Sequence, residues 1–115
     1  MKLEEIKPYQ KKISFLAKVI SKTPERKVVS RLDDVEHKVC EVLLGDDTGI
    51  VYLTLWDDSI NLLEIGKVYS FKNLYSSEFK KSLRLNLGRF GEFDIFNEDV
   101  VVDLDKKLSS DIVID

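Results

Sequence analysis

The chain has 115 residues, 43% of them hydrophobic and 34% charged, which is enough for one domain with a modest single core. Its single cysteine excludes an internal disulfide, and one cysteine with one histidine cannot build a zinc site. No apolar run approaches the ~20 residues that cross a bilayer, and the opening MKLEEIKPYQKK has no signal-peptide core; the expectation is a cytoplasmic protein without metal, cofactor or membrane partner.

The net charge of −3 is unevenly spread. Residues 1–91 carry 16 Lys/Arg against 13 Asp/Glu, a net of +3, whereas residues 92–115 carry 2 against 8, a net of −6. A mildly basic body with an acidic end is a hint about partners.

In chain order, Lys11 to Lys22 is β-rich, with Ile13, Phe15, Ala17 and Val19 on one parity. Pro24 and scattered charge then indicate a long loop or an irregular hairpin. A second strand spans His37 to Leu44, with Cys40, Val42 and Leu44 on one face; Cys40 reads as a small buried hydrophobe and His37 as a strand-edge surface residue. GDDTG makes a tight turn into a third strand, where Val51, Leu53 and Leu55 share the core face and Tyr52, Thr54 and Trp56 the other. DDSINLLEIG offers Asp57 or Asp58 as N-cap, the apolar stripe Ile60, Leu63 and Ile65, and Gly66 as the stop of a short helix. Lys67 to Tyr75 is a fourth strand, SSEFKK a connection, and SLRLNLG a fifth strand with Leu83, Leu85 and Leu87 inward.

Three strands, a short helix and two strands is the element order of a five-stranded Greek-key barrel of OB type, all-β, with the helix plugging the barrel between strands three and four. A small sandwich or an SH3-like barrel competes, but SH3-like barrels usually lack an amphipathic helix at that point. The expected domain covers residues 1–102, including an N-terminal extension. Residues 103–115 are expected to form a mobile acidic tail.

Trp56 on the outer face needs a reason. On the fourth strand Tyr69 and Phe71 point one way; a bulge at Asn73 would turn Leu74 inward and Tyr75 outward. Phe79 follows, flanked by Lys80 and Lys81, and Arg84 lies on the outer parity of the fifth strand. Outward aromatics interleaved with Lys and Arg form a stacking platform beside an electrostatic track, a pattern suited to single-stranded nucleic acid. The expected stacking residues are Trp56, Tyr75 and Phe79, with Tyr52 and Thr54 completing the platform. The expected phosphate contacts are Lys72, Lys80, Lys81 and Arg84, together with Arg26, Lys27 and Arg31 of the first loop. No nucleophile–base pair can be assembled, and the Asp46–Asp47 and Asp57–Asp58 pairs read as turn and cap residues, so no catalysis and no small-molecule substrate are expected.

LLGDDTGIVYLTLWDD and EIGKVYSFKNLYSSEFKKSLRLNLG, with Lys7–Pro8 ahead of the first strand, resemble the simple single-stranded DNA-binding proteins of archaea. These are single OB-fold proteins related to the OB domains of replication protein A and to the OB-fold component of the SOSS complex. The resemblance implies three base-stacking aromatics, which fall on Trp56, Tyr75 and Phe79, with tyrosine at a position where tryptophan is common. It implies binding of single-stranded DNA with little sequence preference, in replication, recombination or repair, with nucleoid association in an archaeon. Two features depart from the family pattern: Lys81 stands where glycine is usual, and a long glycine- and basic-rich tail is replaced by residues 92–115.

Two other functions fit the same fold. One is a protein–protein module within a replication or telomere-like complex, its platform covered by a partner; the weaker one is an RNA- or tRNA-binding domain. The acidic end is also a candidate docking peptide for replication or repair proteins. As a mobile segment near a basic groove it would compete with DNA, so its removal would tighten binding at low salt.

Overall fold

The computed structural model describes residues 1–113. The alternating segments become seven strands: β1 (Ile13–Lys22), β2 (Arg26–Val29), β3 (Glu36–Asp46), β4 (Gly49–Trp56), β5 (Val68–Phe79), β6 (Ser82–Asn86) and β7 (Glu92–Ile95). Single 3₁₀ turns lie at Leu3–Glu5 and Asp57–Asn61.

The sheet closes into a ring through β1–β3–β4–β6–β5 and back to β1, and only the β4–β6 pairing is parallel. This is the strand order of the OB fold. After Pro24, where a long loop or an irregular hairpin was expected, β2 pairs with β3 in unbroken antiparallel register, and β7 adds to β5. Inside the ring sit the side chains that alternation assigned there: Phe15, Ala17, Val19, Cys40, Val42, Leu44, Val51, Leu53, Leu55, Phe71 and Leu85 are all buried.

The bulge at Asn73 is present. Partners across β1–β5 step from Phe15↔Phe71 to Ile13↔Leu74, so β5 carries one extra residue, and Asn73 takes φ 59°. Leu74 is consequently fully buried, and Tyr75 faces out. The ring in turn is plugged by Ile60 and Leu63, both buried, but from a single 3₁₀ turn rather than an α-helix. Asp57 does not cap it: at φ 48° its carboxylate turns back to accept the Lys38 N–H (2.9 Å). Ile65, expected in the apolar stripe, is exposed.

Two further differences affect the site. β5 continues through SSEF to Phe79, so the connection to β6 shrinks to Lys80–Lys81, both at positive φ (50° and 66°), as a two-residue primed hairpin turn requires. The conformation that glycine adopts freely is here adopted by lysine.

The expected mobile acidic tail is instead packed, as far as residue 113. Its backbone bonds to the β3–β4 turn region: Asp103 N–H donates to Asp46 O (2.9 Å), Ile50 N–H to Lys106 O (2.9 Å) and Leu108 N–H to Ile50 O (2.8 Å). Ile112 and Val102 pack on Leu43 and Ile50, a second small core on the outer side of β3 and β4. That cover buries the outer face of β3 at Leu43 and Gly45, while Glu41 on the same face is buried under Arg26 and Thr23, so β3 is buried at consecutive positions from Val39 to Asp46. Apolar burial and a specific charge partner outweigh the segment's acidity. The last two residues of the expected tail lie outside the described residues.

Candidate nucleic-acid interface

A groove of about 900 Å³ crosses one side of the ring, lined by β2 (Arg26, Val28, Val29), β3 (His37, Val39, Glu41), the Thr54–Asp57 end of β4, β5 (Ser77, Glu78, Phe79) and β6 (Arg84, Asn86). A smaller hollow of about 220 Å³ adjoins it, between Trp56 and Tyr75, floored by Thr54, Asn86 and Gly88. Trp56, Tyr75 and Phe79 are 48%, 42% and 49% exposed, so each aromatic presents a large free surface while remaining anchored. Thr54 lines both hollows, whereas Tyr52, expected on the platform, lines neither: it is half-buried against the Arg84 guanidinium and the second small core.

Each aromatic is held by a different device. The Ser59 hydroxyl accepts the Trp56 N–H (3.0 Å) and donates to the Trp56 carbonyl (2.6 Å), fixing the backbone where β4 ends. The indole meets His37 edge-on, at 6.4 Å between ring centroids and 84° between planes. Tyr75 lies against Gly88, where an added Cβ would stand 2.6 Å from Tyr75 Cε1. Phe79 ends β5 with Lys80 Nζ 5.4 Å and the Arg84 guanidinium 5.6 Å from its ring centre.

The charged residues sort differently from expectation. Arg84 is only 4% exposed, and both arms of its guanidinium donate to the Asp111 carboxylate, while Nη1 also donates to Ser82 Oγ (2.9 Å). Its guanidinium is engaged by Asp111 and Ser82 while it lines the groove. Outer parity put Arg84 on the ring's exterior, but residues 108–112 cover that exterior. Arg26 is half exposed and forks onto the buried Glu41 (2.7 and 3.1 Å). Lys27 reaches Glu36 (3.6 Å) on the surface, and Arg31 is exposed near the tip of the β2–β3 hairpin. Lys80 and Lys81 are exposed in their turn. Lys72 lies elsewhere: it lines a hollow with Met1, Lys2 and Phe15 and stands opposite Glu92 in the β5–β7 register.

Within the groove itself Arg26, His37 and Arg84 stand against Glu41, Asp57 and Glu78, so its walls are nearly charge-balanced, and the exposed Arg31 and the Lys80–Lys81 pair directly follow the lining residues Ser30 and Phe79 in sequence.

His37 is more than a strand-edge surface residue. Nδ1 lies 2.7 Å from Asp57 Oδ2 and Nε2 3.3 Å from Asp33 Oδ2. A neutral imidazole can donate from one nitrogen only, so two flanking carboxylates favour the doubly protonated ring. Asp57 first and Asp33 second push the imidazole above its ordinary value. Conversely, the backbone N–H of Lys38, then His37, lowers Asp57. Asp111 is lowered to about 2, mainly by Arg84, with Ser82 assisting. Beyond His37, the groove residues that sequence reasoning missed are Ser77 and Asn86, hydrogen-bonded to each other (3.0 Å), and Glu41. Their outward parity on β5, β6 and β3 is the only signal that points to them.

The family described as single-stranded DNA binding protein Ssb-like, OB fold, matches residues 6–95. The chain belongs to that family. A relative named single-stranded DNA binding protein Ssb, from Saccharolobus solfataricus, is 26% identical over 87 residues, covering 76% of this chain and 57% of the relative. The chain thus spans little more than half of that relative's length. An uncharacterized protein of Arabidopsis thaliana is 26% identical over 103 residues, covering 82% of this chain and 67% of the other.

Among solved structures, a hypothetical protein from Arabidopsis thaliana superposes with a TM-score of 0.77 at 25% identity, covering 96% of this chain and 82% of that one. A replication protein A heterotrimer bound to single-stranded DNA gives 0.72 at 22% identity, with 90% of this chain and 26% of that one covered. The second OB-fold domain of replication protein A from Methanococcus maripaludis gives 0.65 at 18%, covering 88% and 98%. The last two likenesses establish the fold.

Proposed function

We propose that this Ssb-like domain binds single-stranded DNA with little sequence preference. Bases stack on Trp56, Tyr75 and Phe79, and phosphates are met by Lys80, Lys81, Arg31 and Lys27 on the groove rim, with the half-exposed Arg26 beside them. The observation that carries the reading is the placement of these three half-exposed rings along connected hollows on one side of a ring whose family is single-stranded DNA-binding. Each stacked base contributes about 1–3 kcal/mol, and because every base has a π-face the platform is indifferent to sequence. The role is binding, in replication, recombination or repair of DNA.

Trp56 is the chain's single tryptophan, so its fluorescence reports on the platform alone. Titration with oligo-dT is expected to quench it, and the same titration with an RNA of equal length measures which strand the platform prefers. With roughly 3–5 phosphates neutralised, log K against log salt should slope by about −2 to −3.5, at −0.7 per phosphate on a single strand. An unquenched tryptophan, or an affinity indifferent to salt, would refute the reading.

A further inference from the structure

Residues 103–113 lie beyond the span that the family match covers, yet they reach the platform. The parallel β4–β6 pairing registers Tyr52 with Arg84, Leu53 with Leu85 and Thr54 with Asn86. At the Arg84 end of that ladder the buried Ser109 hydroxyl takes over, accepting the Tyr52 N–H (3.0 Å) and donating to the Leu83 carbonyl (2.5 Å). Two residues later the chain delivers Asp111 to Arg84, with Ile112 buried behind it against Leu43 and Ile50.

Arg84 is enclosed. Its guanidinium lies 4.9 Å from the Tyr52 ring centre and 5.6 Å from that of Phe79, and its Nε has no hydrogen-bond partner among the described residues. Asp111 is the one carboxylate that pairs with it among the described residues. Without that carboxylate the buried cation would be left uncompensated and driven toward water. The space toward water is the groove, and the ring beside the guanidinium on that side is Phe79, which lines the groove with Arg84. Moving the guanidinium therefore removes the support against which Phe79 is set.

We infer that Asp111 is a positioning residue for base stacking at Phe79, acting through Arg84; the inference rests on the binding function proposed above. In this arrangement the segment after β7 completes the site from outside the OB ring. Arg84 serves as the fixed back of a stacking ring and not as a phosphate ligand.

A double-mutant cycle on the full chain, read by oligo-dT affinity, tests it. In the parent, Phe79→Ala should weaken binding about 5- to 150-fold, the range for one stacked base. Asp111→Asn should weaken binding about 5-fold or more. In the Asp111→Asn background Phe79→Ala should cost less than about 3-fold, a selective loss of the Phe79 contribution that a merely structural loss would not produce. Asp111→Glu, which restores a carboxylate, should recover most of the Phe79 contribution.

If Asp111→Asn proves too unstable, the paired replacement Arg84→Met with Asp111→Leu removes both charges without orphaning either, and Phe79→Ala should again cost less than about 3-fold. An undiminished Phe79 penalty in that background, or in Asp111→Asn, overturns the inference. Tighter binding with a slope steeper by about 0.7 overturns it in favour of Arg84 being withheld from a phosphate. If the parent itself fails to bind oligo-dT, the functional reading falls instead, and the two failures are distinct.

Discussion

Gly88→Ala should damage binding by displacing Tyr75, although Gly88 itself is not proposed to meet a base. A Cβ built at Gly88 stands 2.6 Å from Tyr75 Cε1 and 2.9 Å from Cδ1. Carbon atoms in contact sit about 3.5–4.0 Å apart, so the ring must shift by roughly 1 Å or tip into the hollow that it shares with Trp56. The backbone adds its own cost, because Gly88 has φ 62°, a conformation that costs a residue with a Cβ about 1–2 kcal/mol. That loss should appear in urea unfolding and leave a folded chain, since domains of this size are stable by roughly 5–15 kcal/mol.

The binding loss should approach that of Tyr75→Ala and not exceed it, within about 1–3 kcal/mol, or 5- to 150-fold in affinity for oligo-dT. The decisive comparison is between backgrounds. Once Tyr75 is alanine there is no ring to displace, so Gly88→Ala should cost stability and almost no further affinity. If Gly88→Ala lowers stability as stated but binds DNA like the parent, Tyr75 does not stack on bases, or its ring tolerates displacement, and the platform as described is wrong.

Trp56→Ala should weaken binding by about 1–3 kcal/mol, while urea unfolding shows a loss below the 3–5 kcal/mol typical of a fully buried aromatic, because the indole is 48% exposed. His37 is the only histidine, so one imidazole can be followed by NMR; its folded value should lie above the ordinary one. Since the folded value is raised, the stabilisation is fully present below about pH 6.5 and lost as pH rises through the folded value. His37→Gln should abolish that alkaline loss, and a titration at or below 6.5 would contradict the geometry. For Asp111 the sign is opposite: a folded value lowered to about 2 gives stabilisation present above the ordinary carboxylate range and lost as pH falls toward 2, and Asp111→Asn should flatten that acid limb of a pH-dependent unfolding series. Deleting residues 103–115 should destabilise the domain sharply in thermal unfolding, because it strips Leu43 and Ile50 of their cover and orphans Arg84; a fully stable truncated chain would show that the packing of this segment is dispensable.

Much of the ring was legible because it rests on local alternation. Val51, Leu53 and Leu55 against Tyr52, Thr54 and Trp56 is a period-two pattern that no helix accommodates, and the outward indole follows from it. The break in parity at Asn73 was legible for the same reason. What escaped depended on distant partners. SSEF reads as polar turn material, and only the facing strand β6 makes it the end of β5. Asp57 looks like a helix cap until Lys38 and His37, some twenty positions earlier, capture its carboxylate. Arg84 carries the outward parity of a phosphate ligand, and nothing near it in sequence reveals that Asp111 lies across it. Net charge misled about residues 103–113, since an acidic composition says little when a buried guanidinium awaits one of the acids and Leu108 and Ile112 have places to fill.

The way the two ends of the chain converge on the β3–β4 turn has a kinetic meaning. Lys2 reaches Asp47, the Leu3 N–H donates to Asp46, and Lys106 reaches Glu4 across a separation of 102 residues. Contacts of such long range form late, because chain entropy must be surrendered before they yield anything. During synthesis, at roughly 5–20 residues per second, all the strands of the ring are made well before Asp111 emerges. Through that interval Arg84 lies on a face that residues 108–112 have yet to cover, so the ring can close first; docking of this segment, which buries the guanidinium and supplies its carboxylate together, is expected to be the last step of folding.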